Sequence, residues 1–239
     1  MEAEQASAIH VHTCREAELP GDNFWLGPRE LCVFEHQKSQ TRRQSYRLGR
    51  WTAKHLLAHA LHLPYSLDTL RRLEILADKD GAPIAHLDQK PLGECLSLSH
   101  REKRALAVLG PSGLSLGCDL EWIEPRSRAF VEDFFSPEES QATFDAQNPA
   151  FMANLIWSAK ESALKAQRVG LSRDTRELLV QLDTNIPHLP QSWHPLGLFD
   201  PSHSKSYKGA FLLDGGFVLT LMADIPQAFL LPKIIALPP

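Results

Sequence analysis

Ser115-Leu116-Gly117-Cys118-Asp119-Leu120-Glu121-Trp122 reads as a β-strand. Successive side chains on a strand point to opposite faces, so Asp119 and Glu121 share one face and Cys118, Leu120 and Trp122 the other, apolar one. Two carboxylates side by side repel, and a divalent cation relieves the repulsion. Mg2+, a hard ion that prefers oxygen ligands, suits such a pair. An ordinary amphipathic strand with a solvated acidic face carries the same pattern.

Further along, Trp157-Ser158-Ala159-Lys160-Glu161-Ser162-Ala163-Leu164-Lys165 lies in an expected helix over about 150–167. At about 100° per residue, Trp157, Glu161, Leu164 and Lys165 fall within about a third of its circumference. Glu161 and Lys165 stand four apart in the favoured acid-then-base order, which by itself also describes a surface salt bridge. A Trp beside them suggests a half-buried face bearing a carboxylate and an ammonium.

Two basic stretches precede these. Four arginines fall within Arg42-Arg43-Gln44-Ser45-Tyr46-Arg47-Leu48-Gly49-Arg50, and Arg43, Arg47 and Arg50 share a helix face at three- and four-residue steps. Guanidinium forks suit phosphate oxygens, although a solvated basic face has the same spacing. Ser97-Leu98-Ser99-His100-Arg101 sets a His beside a hydroxyl and an Arg at a strand end, a second phosphate-binding pattern. Gly113-Leu114-Ser115-Leu116-Gly117 fits the G-x-S-x-G pattern of serine hydrolases, but that chemistry needs the Ser on a strand-to-helix turn. Here a turn precedes Ser115 and a strand follows it.

Outward from these motifs, apolar periodicity predicts a helix from about Thr41 to His62, stopped by Pro64. Strands are expected at Arg71–Leu76, Leu96–Ser99, Ala105–Leu109 and Ser115–Trp122, the last two joined as a hairpin through Gly110–Gly113. Helices are expected at about 127–134 and 137–145, with Ser136 and Glu139 at capping-box spacing. Phe211–Leu213 and Phe217–Leu221 read as a hairpin around Asp214-Gly215-Gly216. Residues 1–20 show no clear period. A helix-plus-sheet motif used twice is compatible with this order, but no repeat stands out between the halves.

The 239 residues allow one large domain or two small ones, with enough chain for a core without staples. Lys+Arg of 25 against Asp+Glu of 29 leaves no broad nucleic-acid footprint. No apolar run is long enough to span a bilayer, and the acidic start does not read as a signal peptide. Four separated cysteines without CxxC spacing read as reduced thiols. A cytoplasmic protein, with no membrane or nucleic-acid partner, is the expectation.

Gly117-Cys118-Asp119-Leu120-Glu121 resembles the G-x-D-x-E motif of the 4′-phosphopantetheinyl transferases, and Trp157 through Lys165 resembles their W-[ST]-x-K-E-[AS]-x-x-K motif. The separation of 42 residues between Asp119 and Glu161 is similar to theirs. Ser99-His100, Phe134-Phe135-Ser136-Pro137-Glu138-Glu139, Gly81-x-Pro83, Gly49-Arg50 and Ala53-Lys54 add matches across about residues 42–171. The length resembles the long, monomeric surfactin-type class.

The resemblance implies an α+β fold of two similar subdomains, 1–115 and 116–239, related by pseudo-twofold symmetry with the active site in the cleft between them. It implies transfer of the phosphopantetheine arm of coenzyme A to a serine of an apo acyl or peptidyl carrier protein, with Mg2+. It assigns the metal to Asp119, Glu121 and Glu161, and catalysis to Glu161, Lys165 and Asp119. Contacts to coenzyme A fall to Arg43, Arg50, Gly81, Pro83, Ser99, His100, Lys160 and Lys165. Many members carry Gly-Lys-Pro where this chain has Gly81-Ala82-Pro83; Lys79 or Arg101 are the nearby candidates to replace that lysine. A binding module that holds coenzyme A or a carrier protein without turnover is the competing expectation.

Overall fold

The computed structural model describes residues 8–182, 192–224 and 233–234. Helices and antiparallel sheets build an α+β protein, and the chain divides into two compact units between Gly113 and Leu114, with Lys233–Ile234 belonging to the first. The division falls two residues before the expected boundary.

In the first unit, β1 (His10–Arg15) is followed by α1 (Pro28–Glu35), α2 (Gln40–Ala60) and α3 (Leu67–Arg72), then β2 (Leu73–Ala77), β3 (Pro83–Leu87), β4 (Lys90–Pro91), β5 (Cys95–Arg101) and β6 (Arg104–Gly110). A short strand at Lys233–Ile234 pairs parallel with β1, giving the sheet order Lys233–Ile234, β1, β6, β5; β2, β3 and β4 form a second sheet. Ser39 caps α2 by accepting from the Arg42 amide. Leu56 and Leu57 of α2 bury themselves with Leu73, Ile75, Ala107 and Leu109.

In the second unit, β7 (Leu116–Trp122) is followed by α4 (Arg128–Phe134), α5 (Pro137–Asp145) and α6 (Pro149–Gln167), then β8 (Leu179–Gln181), β9 (His194–Asp200), β10 (Lys205–Asp214) and β11 (Phe217–Ala223). The sheet order is β7, β11, β10, β9, β8. Leu155, Ala159 and Ala163 of α6 pack on Leu198, Phe211, Val218 and Met222. Ser158 and Ser162, also on α6, share the Thr220 hydroxyl of β11 at 2.8 and 2.7 Å, so the polar atoms of that contact are satisfied.

The two units share a build that the sequence hides in plain sight. Each lays one long helix on antiparallel strands, and the helices carry Trp51-Thr52-Ala53-Lys54 and Trp157-Ser158-Ala159-Lys160, identical but for a Thr in place of a Ser. Lys54 is buried against Glu30 and donates to the carbonyls of Trp25 and Leu70. Lys160 is buried against Glu139 and donates to the carbonyls of Phe134 and Thr175. Each glutamate accepts from a backbone amide three residues back, Gly27 or Ser136, and from an amide at the strand that follows the helix, Ile75 or Val180. The halves therefore do repeat a helix-plus-sheet motif.

Three local expectations change. Residues 10–15, within the stretch that shows no clear period, are a strand inside a sheet. Arg71 and Arg72 close a helix, and the strand starts at Leu73. β6 and β7 are not a hairpin: β6 pairs with β1 and, through the Glu102-Lys103 turn, with β5, while β7 pairs with β11. Gly110–Gly113 is instead the crossing from one unit to the next, which alternation alone cannot distinguish from a turn.

Candidate active site

In the second unit, Asp119 and Glu121 sit on the same face of β7, the face that meets α6. The approach of strand and helix is close at Gly117, where a Cβ would stand 2.0 Å from the Ser162 carbonyl oxygen and 2.6 Å from the Ala166 nitrogen. Only glycine allows it, and it brings Lys165 across to β7. The Lys165 ammonium donates to Asp119 Oδ1 at 2.8 Å and to the Cys118 carbonyl at 3.0 Å. Burial opposes the charge on Lys165, but the Asp119 carboxylate outweighs it and raises the pKa.

Glu161 lies one helical turn before Lys165. Burial raises its pKa, Asp119 and Glu121 raise it further, and Lys165 opposes them. Glu161 Oε1 is buried with no hydrogen-bond partner. Glu121 is paired with Arg126, whose Nη2 lies 2.9 Å from Glu121 Oε2. The three acidic residues and Lys165 thus belong to one electrostatic cluster, as the sequence motifs suggest.

The acidic side chains of that cluster offer only oxygen donors, the buried Glu161 Oε1 among them, which is the chemistry of a hard divalent cation. Among the described residues, however, no three His, Cys, Asp or Glu side chains converge on a point where a metal ion sits. The reason lies in the partners: Asp119 is turned to Lys165 and Glu121 to Arg126.

Lys160 is placed differently from the expectation. Its side chain is 0% exposed, with Glu139 at 2.5 Å and two carbonyls taking its protons. An ammonium so enclosed ties α4 and α5 to α6 and does not reach a ligand. Trp157 is likewise structural, edge-on to Phe130 and Phe134 at 5.1 Å each.

In the first unit, a cavity of about 420 Å³ is lined by Gln37, Arg42, Tyr46, Arg50, Ser99 and His100 among others. The structure thus brings together Arg50 from α2 and Ser99-His100 from β5, as expected. Arg50 lies over the Tyr46 ring at 3.9 Å, and its buried Nε has no hydrogen-bond partner. Arg43 does not line the cavity: it donates to the Gln37 and Glu35 carbonyls and closes the end of α1. Arg47 is spent similarly on the Pro20 and Asp22 carbonyls. Arg42 takes the place expected of Arg43. Gly81 (φ 85°) and Pro83 make the turn into β3 and are absent from the cavity lining.

Residues 115–220 match the family model described as the 4′-phosphopantetheinyl transferase superfamily. The match supports that superfamily. No curated protein matches the chain. Among solved structures, holo-[acyl-carrier-protein] synthase from Neisseria meningitidis is 21% identical, covers 43% of this chain and 94% of its own, and has a TM-score of 0.36. The Bacillus anthracis holo-(acyl-carrier-protein) synthase, in complex with CoA (3′,5′-ADP), is 20% identical over 44% of this chain and 96% of its own, with a TM-score of 0.33. The Thermotoga maritima synthase is 20% identical over 54% and 74%, with a TM-score of 0.35. The matched segment holds Asp119, Glu121, Glu161 and Lys165, the whole of the acidic cluster.

Proposed function

We propose that this protein transfers the 4′-phosphopantetheine arm of coenzyme A to a serine of an apo acyl or peptidyl carrier protein, releasing adenosine 3′,5′-bisphosphate. The observation that carries this is the electrostatic cluster of Asp119, Glu121, Glu161 and Lys165 inside the segment that matches the transferase family. We place it in the long, monomeric surfactin-type class, which two units of the same build in one chain support, and in the cytoplasm.

In this reading Asp119, Glu121 and Glu161 hold Mg2+, which when bound neutralises charge on the coenzyme A pyrophosphate. Glu161 takes the proton of the attacking serine, directly or through water. Its desolvated setting keeps that carboxylate more basic than an exposed one. Lys165, held charged by Asp119, stabilises the negative charge that gathers on the leaving group. Arg50, Arg42, Ser99 and His100 take phosphate oxygens of coenzyme A through the unpartnered guanidinium edge and the hydroxyl-imidazole pair.

A fluorescent coenzyme A conjugate incubated with the protein, Mg2+ and a panel of apo carrier proteins tests this. Label should appear on a carrier and vanish when its acceptor serine is changed to alanine. Binding of coenzyme A without label on any carrier would instead support the binding-module alternative.

A further inference from the structure

Glu121 does not face the acidic cluster unaccompanied. Arg126, five residues on, reaches back to Glu121 Oε2 at 2.9 Å, with the two side chains 16% and 12% exposed. The guanidinium is fixed on three further sides. Its Nε donates to Asn154 Oδ1 at 2.9 Å, its Nη1 lies 3.7 Å from Glu124 Oε1, and its carbon lies 5.0 Å from the Phe130 ring centre.

Asn154 is itself fully buried, and its amide nitrogen donates to the carbonyls of Glu124 and Ala150 at 2.7 Å each. The amide therefore cannot flip, and its oxygen is committed to Arg126. A surface arginine that merely happens to lie near a glutamate has no such scaffold.

We propose that Arg126 is a positioning residue that latches Glu121 away from the divalent cation, so that metal binding requires Glu121 to leave its guanidinium partner. This rests on the metal assignment made above. It accounts for an observation that the assignment leaves open: three carboxylates lie in one cluster, yet no three acidic side chains converge on a cation position. Arg126 and the cation compete for the same carboxylate. The arginine holds Glu121 in place, and it weakens the ion's hold in exchange.

Mn2+ binding to the full chain, read as free Mn2+ by electron paramagnetic resonance, tests the latch without any turnover. Arg126→Met removes the competing charge and should bind Mn2+ about three- to tenfold more tightly than wild type. Arg126→Lys keeps a charge but loses the fork held by Asn154, and should fall between the two. It also guards against a folding defect in the methionine variant. Asp119→Asn should abolish the binding in every background.

Affinity that is unchanged or weaker in both Arg126 variants, while still lost in Asp119→Asn, overturns the latch and leaves the metal assignment standing. Wild-type binding that Asp119→Asn does not disturb overturns the metal assignment, and the latch with it.

Discussion

Lys160 is ion-paired with Glu139 at 2.5 Å inside the second unit, its ammonium shut off from solvent and 5.3 Å from the Phe135 ring centre. Burial lowers the Lys160 pKa, and the Glu139 carboxylate, with Asp174, offsets it only in part. Removing one partner leaves an uncompensated buried charge. Lys160→Met should cost about 3–5 kcal/mol in urea denaturation, and Lys160→Met with Glu139→Gln, which keeps an acceptor for the Ser136 and Val180 amides, should recover part of it. The coenzyme A KM of whatever remains folded should not change. A raised KM with unchanged stability would return Lys160 to the ligand.

Gly117 predicts a different failure. A methyl group there meets the Ser162 carbonyl oxygen at 2.0 Å, and backbone cannot swing aside. Gly117→Ala should force β7 from α6, destabilise by at least about 1–3 kcal/mol, and separate Asp119 from Lys165. Transfer activity should fall more than the folded fraction does. Comparing specific activity with the fraction folded by circular dichroism checks this.

Under the proposed function the cavity of the first unit serves coenzyme A binding and not the chemistry. Arg50→Ala and His100→Ala should each raise the coenzyme A KM by about ten- to a hundredfold with a smaller effect on kcat, the size of one charge-assisted hydrogen bond. Arg43→Ala should leave KM unchanged, because Arg43 is spent on the Gln37 and Glu35 carbonyls. Steady-state kinetics against coenzyme A separates the three.

Acid stability should follow Asp200. The Arg173 guanidinium meets both its oxygens at 2.5 Å and, with His203 at 2.9 Å, holds its carboxyl down at about 2. A carboxylate lowered on folding stabilises fully above its ordinary value of 3.8 and loses that contribution as pH falls towards about 2. The window spans about 2 kcal/mol. Asp200→Asn should remove that much near neutrality and flatten the slope of stability against pH between about 4 and 2. Denaturation series at stepped pH read both.

The acidic motifs were legible because a strand period of two and a helical step of four place Asp119, Glu121, Glu161 and Lys165 without knowledge of the rest. Arg50, Ser99 and His100 were found by residue type and do share a cavity. That Arg43 lies outside this cavity was not legible, because a shared helix face does not reveal whether a guanidinium is already engaged by neighbouring carbonyls. The buried pairing of Lys160 was not legible, because its partner Glu139 lies 21 positions earlier, on another helix. A clue lay in the sequence: Trp51-Thr52-Ala53-Lys54 and Trp157-Ser158-Ala159-Lys160 differ only in a Thr for a Ser, and a lysine present in both halves points to architecture. Arg126 had no such signal, since its meaning depends on Asn154. β1 escaped notice because strand alternation in His10–Arg15 is blurred by a buried His12.

The central claim is that the acidic cluster of the second unit performs phosphopantetheine transfer. Its most direct test is the intact mass of an apo carrier protein after incubation with coenzyme A, Mg2+ and either the wild-type protein or Glu161→Gln. The account predicts a gain of ~340 Da, one phosphopantetheine arm, with wild type, lost on chelation of the metal and reduced at least about a hundredfold in rate with Glu161→Gln. A carrier that gains the same mass at the same rate with Glu161→Gln, or with the metal removed, would contradict it.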